Sequence, residues 1–154
     1  MYKKLFFALL TIFQLTVPID TLQAQSDKTL ITNTIQQFFE GMRQGDSSMI
    51  HEVLAEDVRF LTVVEQKGAV MLPEVKVEDF LKTISRPRDE VLDERIESYE
   101  IKIDDRLASV WTPYKFYLGD AFSHCGVNAF QLYKSYRGWK ILQITDTRRV
   151  ERCP

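Results

Sequence analysis

Four long runs rich in β-branched and aromatic residues fill the second half of the chain: Leu92 to Ile103, Leu107 to Leu118, Ala121 to Tyr133 and Trp139 to Thr147. The breaks between them are only "DDR", "GD" and "SYRG". Links that short cannot carry a chain across a sheet, so consecutive runs are antiparallel neighbours in a meander. The first half follows a helical period instead. Between Ser26 and Arg43, the residues Leu30, Ile31, Ile35, Phe38, Phe39 and Met42 form one apolar stripe on an otherwise polar rod. Gly45 stops this helix, and Asp46 is placed to cap a short second one carrying Ile50, Val53 and Leu54. "VRFLTVV" (58–64) reads as a strand, and "QKG" as a turn. After Pro73 a third helix turns Phe80, Leu81 and Ile84 inward, and "SRPRD" ends it. Helices first and long antiparallel strands afterwards give an α+β domain with its helices on one face of a curved sheet.

The N-terminal stretch stands apart from this core. "MYKKLFFALLTIFQLTVPIDTLQAQ" places Lys3 and Lys4 before an apolar run from Leu5 to Val17 and ends near Ala24. That order is expected of a secretory signal peptide over residues 1–24, leaving residues 25–154 as a single domain. The apolar run is too short to span a bilayer, and a buried N-terminal helix is the competing reading. The product is expected to be soluble and exported, to the periplasm or the extracellular space. Removal of the leader moves the formal charge from −2 to −3, and no basic patch remains to favour nucleic acid. Both cysteines, Cys125 and Cys153, lie in the remaining part, where an oxidising compartment favours their pairing over two free thiols.

Three stretches together carry a family resemblance: "GDSSMIHEVLAEDVRF", "VWTPYKFYLGDAFSHCGVNAFQL" and "GWKILQITDTRR". The chain resembles the nuclear transport factor 2-like (cystatin-like) superfamily, and within it the SnoaL-like and lumazine-binding group of exported bacterial proteins. The resemblance implies a cone of three N-terminal helices packed in a strongly curved antiparallel sheet, and dimers formed sheet to sheet. It implies no single activity, because this superfamily holds isomerases, dehydratases, cyclases, hydrolases and proteins without known catalysis.

Alternation along the strands locates a candidate site. His124 and Cys125 are neighbours and point to opposite faces of a regular strand, so they cannot form a nucleophilic pair. Pairing Ser135 with Trp139 sets Phe130 opposite Ile144, Asn128 opposite Asp146 and His124 opposite Val150. Pairing Leu118 with Ala121 sets Trp111 opposite Asn128 and Lys115 opposite His124. One face then carries Trp111, Lys115, His124, Asn128, Phe130, Leu132, Leu142, Ile144, Asp146 and Arg148. The other carries Tyr99, Val110, Thr112, Tyr114, Cys125, Val127, Ala129, Ile141, Gln143 and Thr145, and is expected to meet a second copy. On the first face Trp111, His124, Asn128, Phe130, Asp146 and Arg148 form the candidate ligand site, an apolar cavity with polar groups at one end.

The expected function is binding of a small apolar or aromatic molecule without catalysis. The alternative is an isomerase or dehydratase that moves a proton through Asp146 and His124. No cofactor and no metal are expected. The chain has no glycine-rich phosphate loop and no HExxH, and His51 reads as a partly exposed helix residue. The charge run "SRPRDEVLDER" (85–95) reads as a solvated helix end and turn, with the rim of the pocket mouth as the alternative.

Overall fold

A computed structural model describes the backbone of residues 19–154 and the side chains from Ser26 onward. Most of the expected leader, residues 1–18, lies outside the described residues. The described chain opens with helix α1 (Ile19–Gln44), which buries Ile31, Ile35, Phe38, Phe39 and Met42 as the stripe requires and leaves Leu30 exposed. Asp27, also buried, accepts from the Trp139 indole at 3.1 Å and the Lys134 ammonium at 2.7 Å, which ties α1 to the last hairpin. Gly45 closes the helix in the left-handed region (φ 70°), where a side chain would be strained. The Asp46 carboxylate then accepts from the Ser48 and Met49 N–H groups and caps α2 (Ser47–Val53). Helix α3 (Val77–Ile84) buries Ile84 and stacks Phe80 on Phe38.

Strand β1 (Leu54–Gln66) starts directly where α2 ends, taking Leu54 out of the helix, and β2 (Ala69–Met71) and β3 (Glu74–Val75) fold back onto it. Next come β4 (Leu92–Ile96), β5 (Glu100–Asp104), β6 (Leu107–Leu118), β7 (Ala121–Ser135) and β8 (Gly138–Thr147). The sheet order is β2-β1-β8-β7-β6-β4, with β5 also paired to β6. Strands β5 to β8 form the expected meander, and the helices pack against one face of the curved sheet. The sheet is mixed, not wholly antiparallel, because β1 runs parallel to β8. No short link constrains that pair, since nearly the whole domain serves as the crossover between them.

The run Leu92 to Ile103 is two strands. Ile96 pairs with Tyr114 and Glu100 with Trp111, so residues 97–99 face only 112–113 on β6. Pro113 has no N–H to offer the ladder there, and its carbonyl accepts from the Glu97 N–H at 2.9 Å.

Two bulges set the faces of the central strands. Leu118 pairs with Ala121 as expected, but Ser123 is an extra residue, so Phe116 meets His124 and Thr112 meets Asn128. The last hairpin pairs Ser135 with Gly138, and an extra Leu142 then restores the expected pairs of Phe130 with Ile144 and Asn128 with Asp146. An extra residue reverses the alternation beyond it. Trp111, Lys115 and Leu142 therefore leave the helix-covered face, with Trp111 50% exposed, while Val110, Thr112, Tyr114 and Ile141 are buried beneath the helices. The open face around Trp111 is largely polar, with Lys102, Ser109, Gln131, Gln143 and Thr145 about it.

Cys125 is bonded to Cys153, with their Cα atoms 5.6 Å apart. Cys125 also forms an antiparallel bridge with Arg149, the pairing the expected register gives. His124 lies on the helix side, so the two neighbours point to opposite faces. No described helix is long and apolar enough to cross a membrane.

Candidate functional site

The sheet pairs residues into rungs, and two adjacent rungs on the inner face differ sharply in chemistry. Val110, Phe130, Ile144 and Phe60 form one, all apolar and all buried. Thr112, Asn128, Asp146 and Thr62 form the next, all polar and all buried. Burying four polar side chains in one row is costly unless they are paired with one another or with something bound.

Neighbouring strands supply part of that pairing. The Asn128 amide donates to the Glu94 carboxylate of β4 at 2.7 Å. Arg148, just beyond β8, donates through Nε to Asp146 Oδ2 at 2.8 Å. The Tyr114 hydroxyl lies 3.0 Å from the Thr147 carbonyl and 3.4 Å from Asp146 Oδ2, and its single proton serves the shorter contact better. The Thr112 hydroxyl has no partner among the described residues.

A cavity of about 100 Å³ opens between this polar row and the helices. Phe38, Phe39, Met42, Phe60, Phe80 and Ile144 form its apolar wall, and Thr62, Glu94, Asn128, Asp146 and Arg148 its polar end. A larger cleft of about 910 Å³ lies between α1, α2 and β4, and meets the chamber at Phe39 and Glu94. Several charged groups on its rim are already satisfied locally: Glu40 by Arg43, Glu52 by Gln37, and Asp46 by the α2 N–H groups. Convergent buried polar groups, more than volume, make the chamber the candidate site.

The electrostatics are unusual at Glu94. Burial pushes its carboxyl up to about 7; the Asn128 hydrogen bond opposes the shift and the Asp146 charge adds to it. The side chain keeps some accessible surface because it lines cavities on both sides. Burial, then the charges of Glu94 and Asp146, hold the Tyr114 phenol well above its ordinary value, so it stays protonated. Burial and then Arg148 lower the His124 imidazole.

Of the residues singled out in the sequence, Asn128, Asp146 and Arg148 come together in the chamber. Phe130 lies beneath it, edge-on to Phe39 at 6.0 Å. His124 shares the face but sits toward the rim, stacked on Phe116 at 4.9 Å, with Nδ1 3.0 Å from Ser123 Oγ and no hydrogen bond to Asp146. Trp111 is on the opposite face. Glu94, Tyr114, Thr112 and Thr62 were not singled out. Glu94 was nonetheless readable, because Leu92 and Ile96 on either side of it set an inward face with a carboxylate between them. Among the described residues no three His, Cys, Asp or Glu side chains gather as a metal ion requires.

No family model matches the sequence, and no curated protein matches it. Solved structures do match. A nuclear transport factor 2-like protein with a cystatin-like fold from Novosphingobium aromaticivorans superposes with a TM-score of 0.70 at 11% identity, over 90% of this chain and 92% of its own. This chain has the nuclear transport factor 2-like fold. A conserved protein from Planctomyces limnophilus gives a TM-score of 0.66 at 19% identity, covering 81% of this chain and 98% of that one. A protein of unknown function from Mycobacterium tuberculosis gives 0.65 at 14%, covering 81% and 77%. Identities this low carry the nuclear transport factor 2-like fold and not the narrower SnoaL-like group.

Proposed function

We propose that the protein binds a small, largely apolar or aromatic molecule in the chamber of its cone, and does so without catalysis. One observation carries the reading: a buried polar rung borders a buried apolar rung at the wall of a cavity. Such a site suits a molecule of about one ring with a single hydrogen-bonding end. Titration with toluene, phenol and benzyl alcohol, followed by thermal unfolding, tests it. At least one should raise the melting temperature saturably, and Ile144→Phe, which fills the chamber, should remove that shift. The absence of a shift with every single-ring compound overturns the reading.

A second reading, proton transfer, draws support from Glu94. Two carboxyls line the chamber in different surroundings, Asp146 ion-paired with Arg148 and Glu94 desolvated with its carboxyl near 7. Such a pair can divide acid and base roles, with Glu94 better placed than His124. Deuterium exchange at the α-carbon of acetophenone, followed by NMR, tests this reading. Exchange that is accelerated by the protein and lost in Glu94→Gln supports it, and exchange at the buffer rate excludes it for that ketone.

Export rests on the leader pattern, and the disulfide is in keeping with it. N-terminal sequencing of the secreted protein should begin at Gln25.

A further inference from the structure

We propose that the chamber's ligand is a small monocarboxylic acid, its carboxylate received by the Arg148 guanidinium and its apolar body by the phenylalanine wall. The proposal rests on the binding reading above and gives that site a chemical class.

Arg148 is the one cation lining the chamber among the described residues. It commits only Nε to Asp146, its side chain is 52% exposed, and no described residue accepts from its two Nη groups. A guanidinium in that state presents a planar set of donors suited to a carboxylate. Chamber size and charge narrow the class further. About 100 Å³ accommodates roughly one ring, and the phenylalanine wall calls for an apolar body. A dianion such as phosphate would face Asp146 and Glu94 with only one guanidinium to offset it.

Even a monoanion enters beside two carboxyls, so one of them must be neutral. Asp146 is held by Arg148, whereas Glu94 is the desolvated one. Around Glu94 stand Asn128, Asp146, Arg148 and Tyr114 on the sheet, Asp93 on its own strand, Glu40 and Arg43 on α1, and Asp46 and Glu52 at α2. His124 lies beyond Tyr114 and is neutral above its lowered value. Carboxylates outnumber cations in this set, so the entering anion favours a proton on Glu94, taken from solvent. Protonated Glu94 is then a donor where it was a charge. Binding is capture of the acid anion together with one proton.

Isothermal titration calorimetry of the mature protein with sodium benzoate tests this, with benzamide and toluene as neutral comparisons. Benzoate should bind about tenfold more tightly at pH 6 than at pH 8, the ratio expected for one group titrating near 7. At pH 8, heats in phosphate and Tris should differ by close to one proton taken up per benzoate. Glu94→Gln should flatten the pH dependence. Arg148→Gln should weaken benzoate at least tenfold more than it weakens benzamide or toluene, and Arg148→Lys, which keeps the charge without the planar donors, should fall between. Binding of benzamide or toluene with benzoate refused overturns the carboxylate assignment and leaves the chamber reading standing. Benzoate binding that ignores both pH and Arg148→Gln also overturns it. If none of the three compounds binds, the chamber reading falls and the proposal falls with it.

Discussion

The carbonyl oxygen of Thr147 lies 1.8 Å from where a Cβ on Gly126 would stand, and Tyr114 Cε1 lies 2.9 Å from the same point. Glycine at 126 is thus the condition for β8 and the Tyr114 ring to close over β7 beside Asp146 and Arg148. The obstructing atom at Thr147 is backbone, which cannot swing aside as a flexible side chain would. Gly126→Ala should cost on the order of 3 kcal/mol in urea denaturation, the upper end of the ordinary range for a single substitution. A variant as stable as the parent would show that the strand end is loosely held.

Glu94 makes the pH dependence of stability directional. Its folded-state value, about 7, is above its ordinary 4.5. Between those two pH values the folded chain holds a proton that the unfolded chain has released, so stability falls as pH rises through the window. The cost is absent below it and fully present above, at roughly 3 kcal/mol. Glu94→Gln keeps an acceptor for Asn128 and removes the charge. It should therefore stabilise the protein at pH 8, leave it nearly unchanged at pH 4, and flatten the slope between them. Chemical denaturation across that range checks the sign.

The Cys125–Cys153 bond closes a loop spanning 28 positions in sequence. Constraint of the unfolded chain at that loop length is worth about 3 kcal/mol. Reduction with a phosphine should lower the melting temperature by roughly 10 °C, as should the paired variant Cys125→Ala with Cys153→Ala. An unchanged melting temperature on verified reduction would show that the Arg149 bridge alone retains the tail.

What the sequence made legible, and what it hid, divides along the bulges. The helix stripe, the Asp46 cap and the meander follow from local periodicity and capping chemistry, which are properties of contiguous residues. Phe130 opposite Ile144 and Asn128 opposite Asp146 were reached through a compensation: the turn is one residue tighter than assumed, and Leu142 adds that residue back. On β6 nothing compensates for Ser123, so Trp111 was placed inside and Tyr114 outside. The strand's own alternation carried a corrective signal. Ala108, Val110, Thr112, Tyr114 and Phe116 form the less polar set, against Ser109, Pro113 and Lys115 on the other side. Glu94 was passed over for another reason: it sits inside a charge run whose last residues already belong to a strand, and the alternation of Leu92 and Ile96 about it is the signal that would have found it. The parallel pairing of β1 with β8 left no local trace, because it depends on where the finished sheet has a free edge.

The open face offers a test of association. Trp111 is 50% exposed there, and exposed aromatic side chains are the type enriched at the core of protein interfaces. Residues 25–154 are expected to sediment as a homodimer at micromolar concentration, and Trp111→Glu should yield monomers by introducing an unpaired charge. A parent protein that sediments as a monomer would remove the dimer expectation and leave the chamber untouched.

Thr112 separates an empty polar row from a filled one. Its hydroxyl is fully buried and has no partner among the described residues, opposite Asn128 in the rung beside the chamber. An unmet hydroxyl in such a place costs about 1 kcal/mol or more, whereas valine has nearly the same shape and no polar atom. Thr112→Val should therefore stabilise the ligand-free protein by about 1 kcal/mol. Loss of stability by a similar amount would mean that the hydroxyl already has a partner, an ordered water bridging it to the Asn128 carbonyl being the simplest. A crystal structure of the ligand-free protein distinguishes the two directly, by the presence or absence of density for that water between Thr112 and Asn128.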